Sequence, residues 1–245
     1  MKDLLRVEHL TGGYASSKPV LNNVNFSIGK GELVALIGLN GAGKSTTIKH
    51  IIGLLEPKKG AVKLNGKTLE DDPEAYKKSF TYIPEMPILY DELTLWEHLE
   101  LTAMAYGIER KTFEERANHL LKEYRMEKSK NWYPGRFSKG MRQKVMIMCA
   151  FLVEPSLYIV DEPFMGLDPI GINSLLEEMM KAREKGASIL MSTHILSTAE
   201  QYCDRFIIIH NGKIIADGTL EVLQKKFKKE QATLDEIYIE LTKER

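Results

Sequence analysis

The chain alternates between short, almost wholly apolar runs and longer stretches whose apolar positions recur with helical spacing. The runs at 33–37 (Leu-Val-Ala-Leu-Ile), 157–160 (Leu-Tyr-Ile-Val) and 187–191 (Ala-Ser-Ile-Leu-Met) predict buried strands, and 80–83 predicts a shorter one that stops at Pro84. Helices are predicted over 45–54, 94–106, 112–125 and 170–183, with another from near 137 to about 153. Two of these open on a Ser/Thr-x-x-Glu capping box, Thr94-Leu95-Trp96-Glu97 and Thr112-Phe113-Glu114-Glu115. Buried strands alternating with helices predict a mostly parallel sheet with helices on both faces.

Residues 1–32 follow a different pattern, with strands predicted over 4–10 and 20–28 and the loop Thr11-Gly12-Gly13-Tyr14 between them. Further on, Asn65-Gly66 carries a hairpin-turn signal. The expected fold is therefore α/β with an N-terminal antiparallel β-subdomain and an inserted helical lobe. The core spans 1–85 and 154–220, the lobe 86–153, and a helical tail 221–245. Within that tail, Thr233-Leu234-Asp235-Glu236 forms a third capping box, and the run Lys225-Lys226-Phe227-Lys228-Lys229 reads as a solvated face. The lobe begins with an apolar and aromatic cluster, Met86-Pro87-Ile88-Leu89-Tyr90, suited to receive a helix of a partner.

The chemistry concentrates at the end of the first apolar run. Gly38-Leu39-Asn40-Gly41-Ala42-Gly43-Lys44-Ser45-Thr46 fits the phosphate-loop pattern G-x-x-x-x-G-K-[ST] at every fixed position, between a strand and a helix. Its glycines let successive amide groups turn inward around a phosphate, and the helix that follows offers its positive end to the same anion. Lys44 would reach the β- and γ-phosphates of a nucleoside triphosphate, and the Ser45 hydroxyl would ligate Mg²⁺. Asp161 and Glu162 follow another apolar strand, where Asp161 can hold Mg²⁺ and Glu162 can act on the attacking water. His194 stands just beyond a third strand. Ligands of such sheets gather at the carboxyl ends of the strands, so one site can collect all of these groups.

Composition narrows the partners. Lysine plus arginine and aspartate plus glutamate each number 34, so the formal charge is zero and nothing draws the whole chain to nucleic acid; no nucleic-acid partner is expected. The longest apolar run, residues 145–153, is about half of what a bilayer-spanning helix needs, and the charged start, Met-Lys-Asp-Leu-Leu-Arg, has no signal-peptide core. Cys149 and Cys203 are expected to be reduced packing residues.

With these motifs in place, nearly the full length of the chain resembles the ATP-binding subunit of an ABC transporter. Residues 38–45 resemble the Walker A loop and residues 157–162 the Walker B strand. Phe137-Ser138-Lys139-Gly140-Met141 resembles the signature motif, Gly166-Leu167-Asp168 the D-loop, and His194 the switch histidine. Tyr14 resembles the aromatic that stacks on adenine. The resemblance implies self-association of two chains around two ATP molecules, with Ser138 and the Gly140 amide of one chain meeting the γ-phosphate held by the other. It also implies a separate transmembrane subunit and a position on the cytoplasmic face of the membrane. Lys139 and Met141 within the signature point to the ABC-2-like branch. Phe164-Met165 replaces small polar residues before the D-loop, and Glu85 replaces the Q-loop glutamine, still offering an oxygen to metal or water. Together with the Cys149-Ala150-Phe151-Leu152 segment, these features narrow the resemblance to Ecs-type transporters, implying export through an Ecs-type permease. A soluble ABC-type ATPase acting on a non-membrane partner is the alternative.

Overall fold

The computed structural model describes residues 3–15, 18–228 and 231–243. Of the stretches singled out above, Met1, Lys2 and Lys229 lie outside the described residues. The strands are β1 (Leu5–Gly12), β2 (Leu21–Ile28), β3 (Leu33–Ile37), β4 (Lys59–Leu64), β5 (Phe80–Ile83), β6 (Leu157–Asp161), β7 (Ser188–Thr193), β8 (Arg205–His210) and β9 (Lys213–Gly218). The helices are α1 (Lys44–Ile51), α2 (Pro73–Lys78), α3 (Leu95–Tyr106), α4 (Arg110–Glu123), α5 (Lys139–Val153), α6 (Pro169–Glu184), α7 (Leu196–Tyr202), α8 (Leu220–Lys226) and α9 (Leu234–Lys243).

Six strands form one sheet in the order β5-β6-β7-β3-β8-β9, parallel except for the β8/β9 pair. Every residue of β3 is buried, because both faces are covered. Leu33, Ala35 and Ile37 face clusters built from α3–α6 and from α7–α9. Val34 and Leu36 face the opposite way, toward α1 and the small antiparallel sheet β2-β1-β4. Burying such a branched side chain contributes about 1.5–3 kcal/mol, which is why the β3 run carries no polar residue. Since α1 is held between two sheets, the loop preceding it is held at both of its ends.

Local signals act where they were expected, with three differences. The Thr94 box forms with both of its bonds, and Ser138 caps α5 by accepting from the Met141 amide at 3.2 Å. Thr112, expected to start a helix, instead sits inside the first turn of α4. The left-handed Gly107 ends α3, Ile108 folds back onto the Ala103 carbonyl, and Glu109 is left as the extended residue from which α4 departs. The Asn65-Gly66 turn closes, both residues with positive φ, yet only the Leu64/Lys67 bridge follows it; the strand before it pairs with β1 instead. Helix α1 ends at Ile51 rather than at 54, because Gly53 turns left-handed and the Leu54 amide returns to the Lys49 carbonyl.

Among its described residues the tail holds two helices, and the Thr233–Glu236 box opens the second: the Thr233 amide bonds Glu236 at 3.0 Å and the Glu236 amide bonds Thr233 at 3.3 Å. Lys225, Lys226 and Lys228 are exposed. Both cysteines are free thiols. Among the described residues no helix is long and apolar enough to cross a membrane.

Candidate functional site

The loop between β3 and α1 is shaped by backbone that no side chain would permit. Gly43 has φ 117°, and a Cβ there would stand 2.8 Å from Leu21 Cδ2. At Gly38 a Cβ would approach the Ile209 carbonyl oxygen to 2.5 Å. The loop is therefore pressed against β8 from behind and opens forward into a cleft of about 610 Å³. Asn40, Gly41, Gly43, Lys44, Ser45 and Thr46 line that cleft, as do Tyr14, Glu85, Glu162 and His194. Gly38 and Ala42 are buried beneath it.

At the floor lies a charged cluster. The Lys44 ammonium, only 5 % exposed, donates to the Gly38 carbonyl at 2.7 Å and sits 3.3 Å from Glu162 Oε1. Glu162 has left-handed φ 47° and is buried; its Oε2 lies 2.8 Å from His194 Nδ1. An ionised carboxylate only accepts, so Nδ1 carries the proton of this bond. Oε1 has no hydrogen-bond partner, its contact with Lys44 being an ion pair without hydrogen-bond geometry. A buried carboxylate oxygen left in this state is a place for a donor to arrive, such as water.

Asp161, the last residue of β6, sits directly across from Ser192 in the parallel β6/β7 register and accepts the Ser192 hydroxyl. The same serine receives the Glu162 amide, at 3.1 Å on its carbonyl and 3.3 Å on its hydroxyl, and so orients both acids. Sequence reading missed Ser192, although its place beside Thr193-His194 at the end of a strand was a usable signal. Tyr14 projects from the loop after β1, with the Lys49 ammonium donating to its hydroxyl at 3.1 Å and lying 5.0 Å from the ring centre. That bond holds the Tyr14 phenol below its ordinary pKa, against partial burial.

Asp161 is buried and, like Gly38 and Ala42, is not part of the cleft lining, and three further expected residues lie away from it. Ser138 and Gly140 lie at the exposed start of α5, and Asp168 caps α6 by accepting the Gly171 amide at 2.7 Å, with Lys144 beside it at 3.2 Å. Loop 162–167 connects the two regions. Its Phe164 is buried in the core, its Met165 lines the cleft, and its Gly166 carbonyl packs so closely on Gly140 that a Cβ there would stand 2.6 Å away.

Among the described residues no three His, Cys, Asp or Glu side chains converge to hold a metal unaided. That suits Mg²⁺, which takes one or two protein oxygens and completes its shell with water and phosphate. Ser45 and Asp161, at the start of α1 and the end of β6, supply such hard oxygens.

Comparison with known proteins gives a consistent set of likenesses. The family model for ABC transporters matches residues 21–165. The chain is 64 % identical over 241 residues to the ABC-type transporter ATP-binding protein EcsA of Bacillus subtilis (strain 168), covering 98 % of this chain and 97 % of that one. Among solved structures it resembles an ATP-binding subunit of an ABC transporter with TM-score 0.95 and 58 % identity, over 98 % of this chain and 99 % of that one. It also resembles a dimeric ATP-binding cassette in a post-hydrolysis state bound to ADP and Pi, with TM-score 0.79 and 26 % identity over 88 % of this chain and 98 % of that one.

Proposed function

The chain belongs to the ABC transporter ATP-binding family, and from that premise we propose that it powers export through a separate transmembrane subunit by closing, in pairs, around two Mg²⁺-bound ATP molecules. ATP binding and hydrolysis are the family's activity; the division of labour among residues is our reading. The observation that carries it is the buried Lys44–Glu162 pair, joined by the exposed His194, opening into the cleft beside the phosphate loop.

In this cluster Lys44 and Glu162 neutralise each other at 3.3 Å. An incoming triphosphate competes for Lys44, drawing the ammonium from Glu162 Oε1. Glu162 is thereby freed to orient a water for attack on the γ-phosphate. His194 holds Oε2, so the carboxylate presents Oε1 in one orientation. Mg²⁺, when bound, would supply positive charge to offset the charge that develops on the phosphates. Ser45 and Asp161 would hold it, with Glu85 as a further oxygen from the rim of the cleft. The loop amides from Asn40 to Thr46 and the N-terminus of α1 would cradle the phosphates. Tyr14, 62 % exposed, offers a ring face to adenine. Ser138 and Gly140 of one chain, with Asp168 nearby, would complete the site of the other.

The transmembrane subunit would be an Ecs-type permease, placing this chain on the cytoplasmic face of the membrane. The proposed docking surface is the exposed apolar segment holding Met86, Ile88 and Tyr90. Steady-state ATPase and nucleotide-binding assays test the residue roles. Lys44→Ala should weaken nucleotide binding, whereas Glu162→Gln should keep binding and lower turnover by about 100-fold or more. Wild-type turnover in Glu162→Gln would remove Glu162 from its assigned role.

A further inference from the structure

We propose that Tyr238, on the C-terminal helix α9, is a positioning residue of the nucleotide site, holding from outside the peptide unit on which Lys44 rests. The Leu39 amide donates to the Tyr238 hydroxyl at 3.0 Å. The carbonyl of that same peptide unit belongs to Gly38, and it accepts Lys44 Nζ at 2.7 Å. One peptide plane is thus gripped at both ends, with the ammonium on its oxygen and the phenol on its nitrogen. Hydrogen bonds in such a chain polarise one another, so each strengthens the next. Turning the plane would take the carbonyl away from Lys44 and leave a partly buried amide unpaired.

Neither side of this arrangement is loosely placed. Tyr238 is 6 % exposed and packs with Ile37, Leu196, Leu234 and Leu241. Burial pushes its phenol up, so the group that accepts from Leu39 is a neutral hydroxyl. The first turn of α9 is anchored separately, by the Leu234 amide on Glu200 of α7 at 2.7 Å. Since α7 begins at Leu196, directly after the segment bearing His194, the tail packs on the helix that follows His194 as well as on the phosphate loop. The helix therefore serves as a brace behind the loop. Its hydroxyl presets the loop and the resting position of Lys44 before nucleotide arrives, which bears on nucleotide affinity and leaves the chemical step to Glu162.

The proposal rests on the reading of residues 38–45 as the phosphate cradle, and the test separates the two. In the full-length chain, Tyr238→Phe keeps the ring in its apolar site and removes only the oxygen. The expected result is roughly tenfold faster hydrogen exchange at the Leu39 amide and about five- to tenfold weaker ATP binding, with kcat within about twofold of wild type. Ile239→Ala, an exposed change on the same helix, should move neither reading. Wild-type Leu39 exchange and wild-type ATP affinity in Tyr238→Phe would overturn the proposal, as would a fall in kcat at unchanged affinity. An unprotected Leu39 amide in the wild-type protein would overturn it without any variant. Lys44→Ala in the same binding assay reports on the cradle itself, so a normal Tyr238→Phe beside a defective Lys44→Ala removes the brace alone.

Discussion

At the scale of single residues, a side chain proposed for a functional role can have a local structural one as well. Asp168 was expected from its D-loop position, and its carboxylate also caps α6. The Gly171 amide, and after it the Lys144 ammonium, hold its carboxyl below the ordinary value against a small cost of burial. A carboxyl whose pKa is lowered by folding stabilises the native state above its unfolded pKa, near 3.9, and that contribution fades as pH falls through the lower, folded value. Asp168→Ala should therefore cost about 1 kcal/mol at pH 7, seen as a drop of roughly 2–4 °C in Tm, whereas Asp168→Asn keeps the cap and loses less. Melts at pH 7 and below pH 4 check this, with the gap between wild type and Asp168→Ala narrowing at the acid end. A gap that widens in acid would show that the ionised cap is not the stabilising form. Phe164, in the same loop, is taken up by the core, leaving Met165 to line the cleft.

At the scale of elements, capping chemistry decides helix starts only when the residue before it can be extended. Thr94 and Thr112 both begin a Ser/Thr-x-x-Glu string, yet only Thr94 has the extended backbone that lets its hydroxyl meet the Glu97 amide, at 3.3 Å. Thr112 is already inside a turn that Gly107 and Ile108 forced to begin earlier, and its neighbour Arg110 ties that turn to Glu100 and Glu114. Chemical denaturation should thus find Thr94→Ala destabilising by about 1 kcal/mol and Thr112→Ala by less than about 0.5 kcal/mol. Equal costs at the two sites would contradict this account of the lobe. Helix α5 follows the same logic, and the Ser138 cap that starts it also leaves an exposed helix N-terminus beside Gly140, the pair proposed to meet the partner's nucleotide.

At the scale of the whole molecule, the cleft holds the phosphate loop, Glu162 and His194, with Asp161 buried one residue before Glu162, while Ser138 and Gly140 lie outside it; on the proposed reading a second copy brings its own pair. Ser138→Arg places bulk at that junction and removes a cap, and it should abolish ATPase activity while leaving nucleotide binding by the single chain nearly intact. Mixed with Lys44→Ala chains, it should recover at most one working site per pair; full activity of Ser138→Arg alone would defeat the shared site. The sequence by itself determined the phosphate loop, the acid pair, His194 and the strands they terminate, because each is written in contiguous residues: a glycine spacing, an apolar run, a polar stop. The β3 and β5 boundaries matched for the same reason. Only the tertiary structure decided that β3 lies between β7 and β8, that Ser192 faces Asp161, and that a tyrosine near the end of the chain reaches the Leu39 amide. Those pairings join residues far apart in sequence, and no local propensity encodes them. They are selected when both faces of the sheet are buried together and each buried polar group must find its partner.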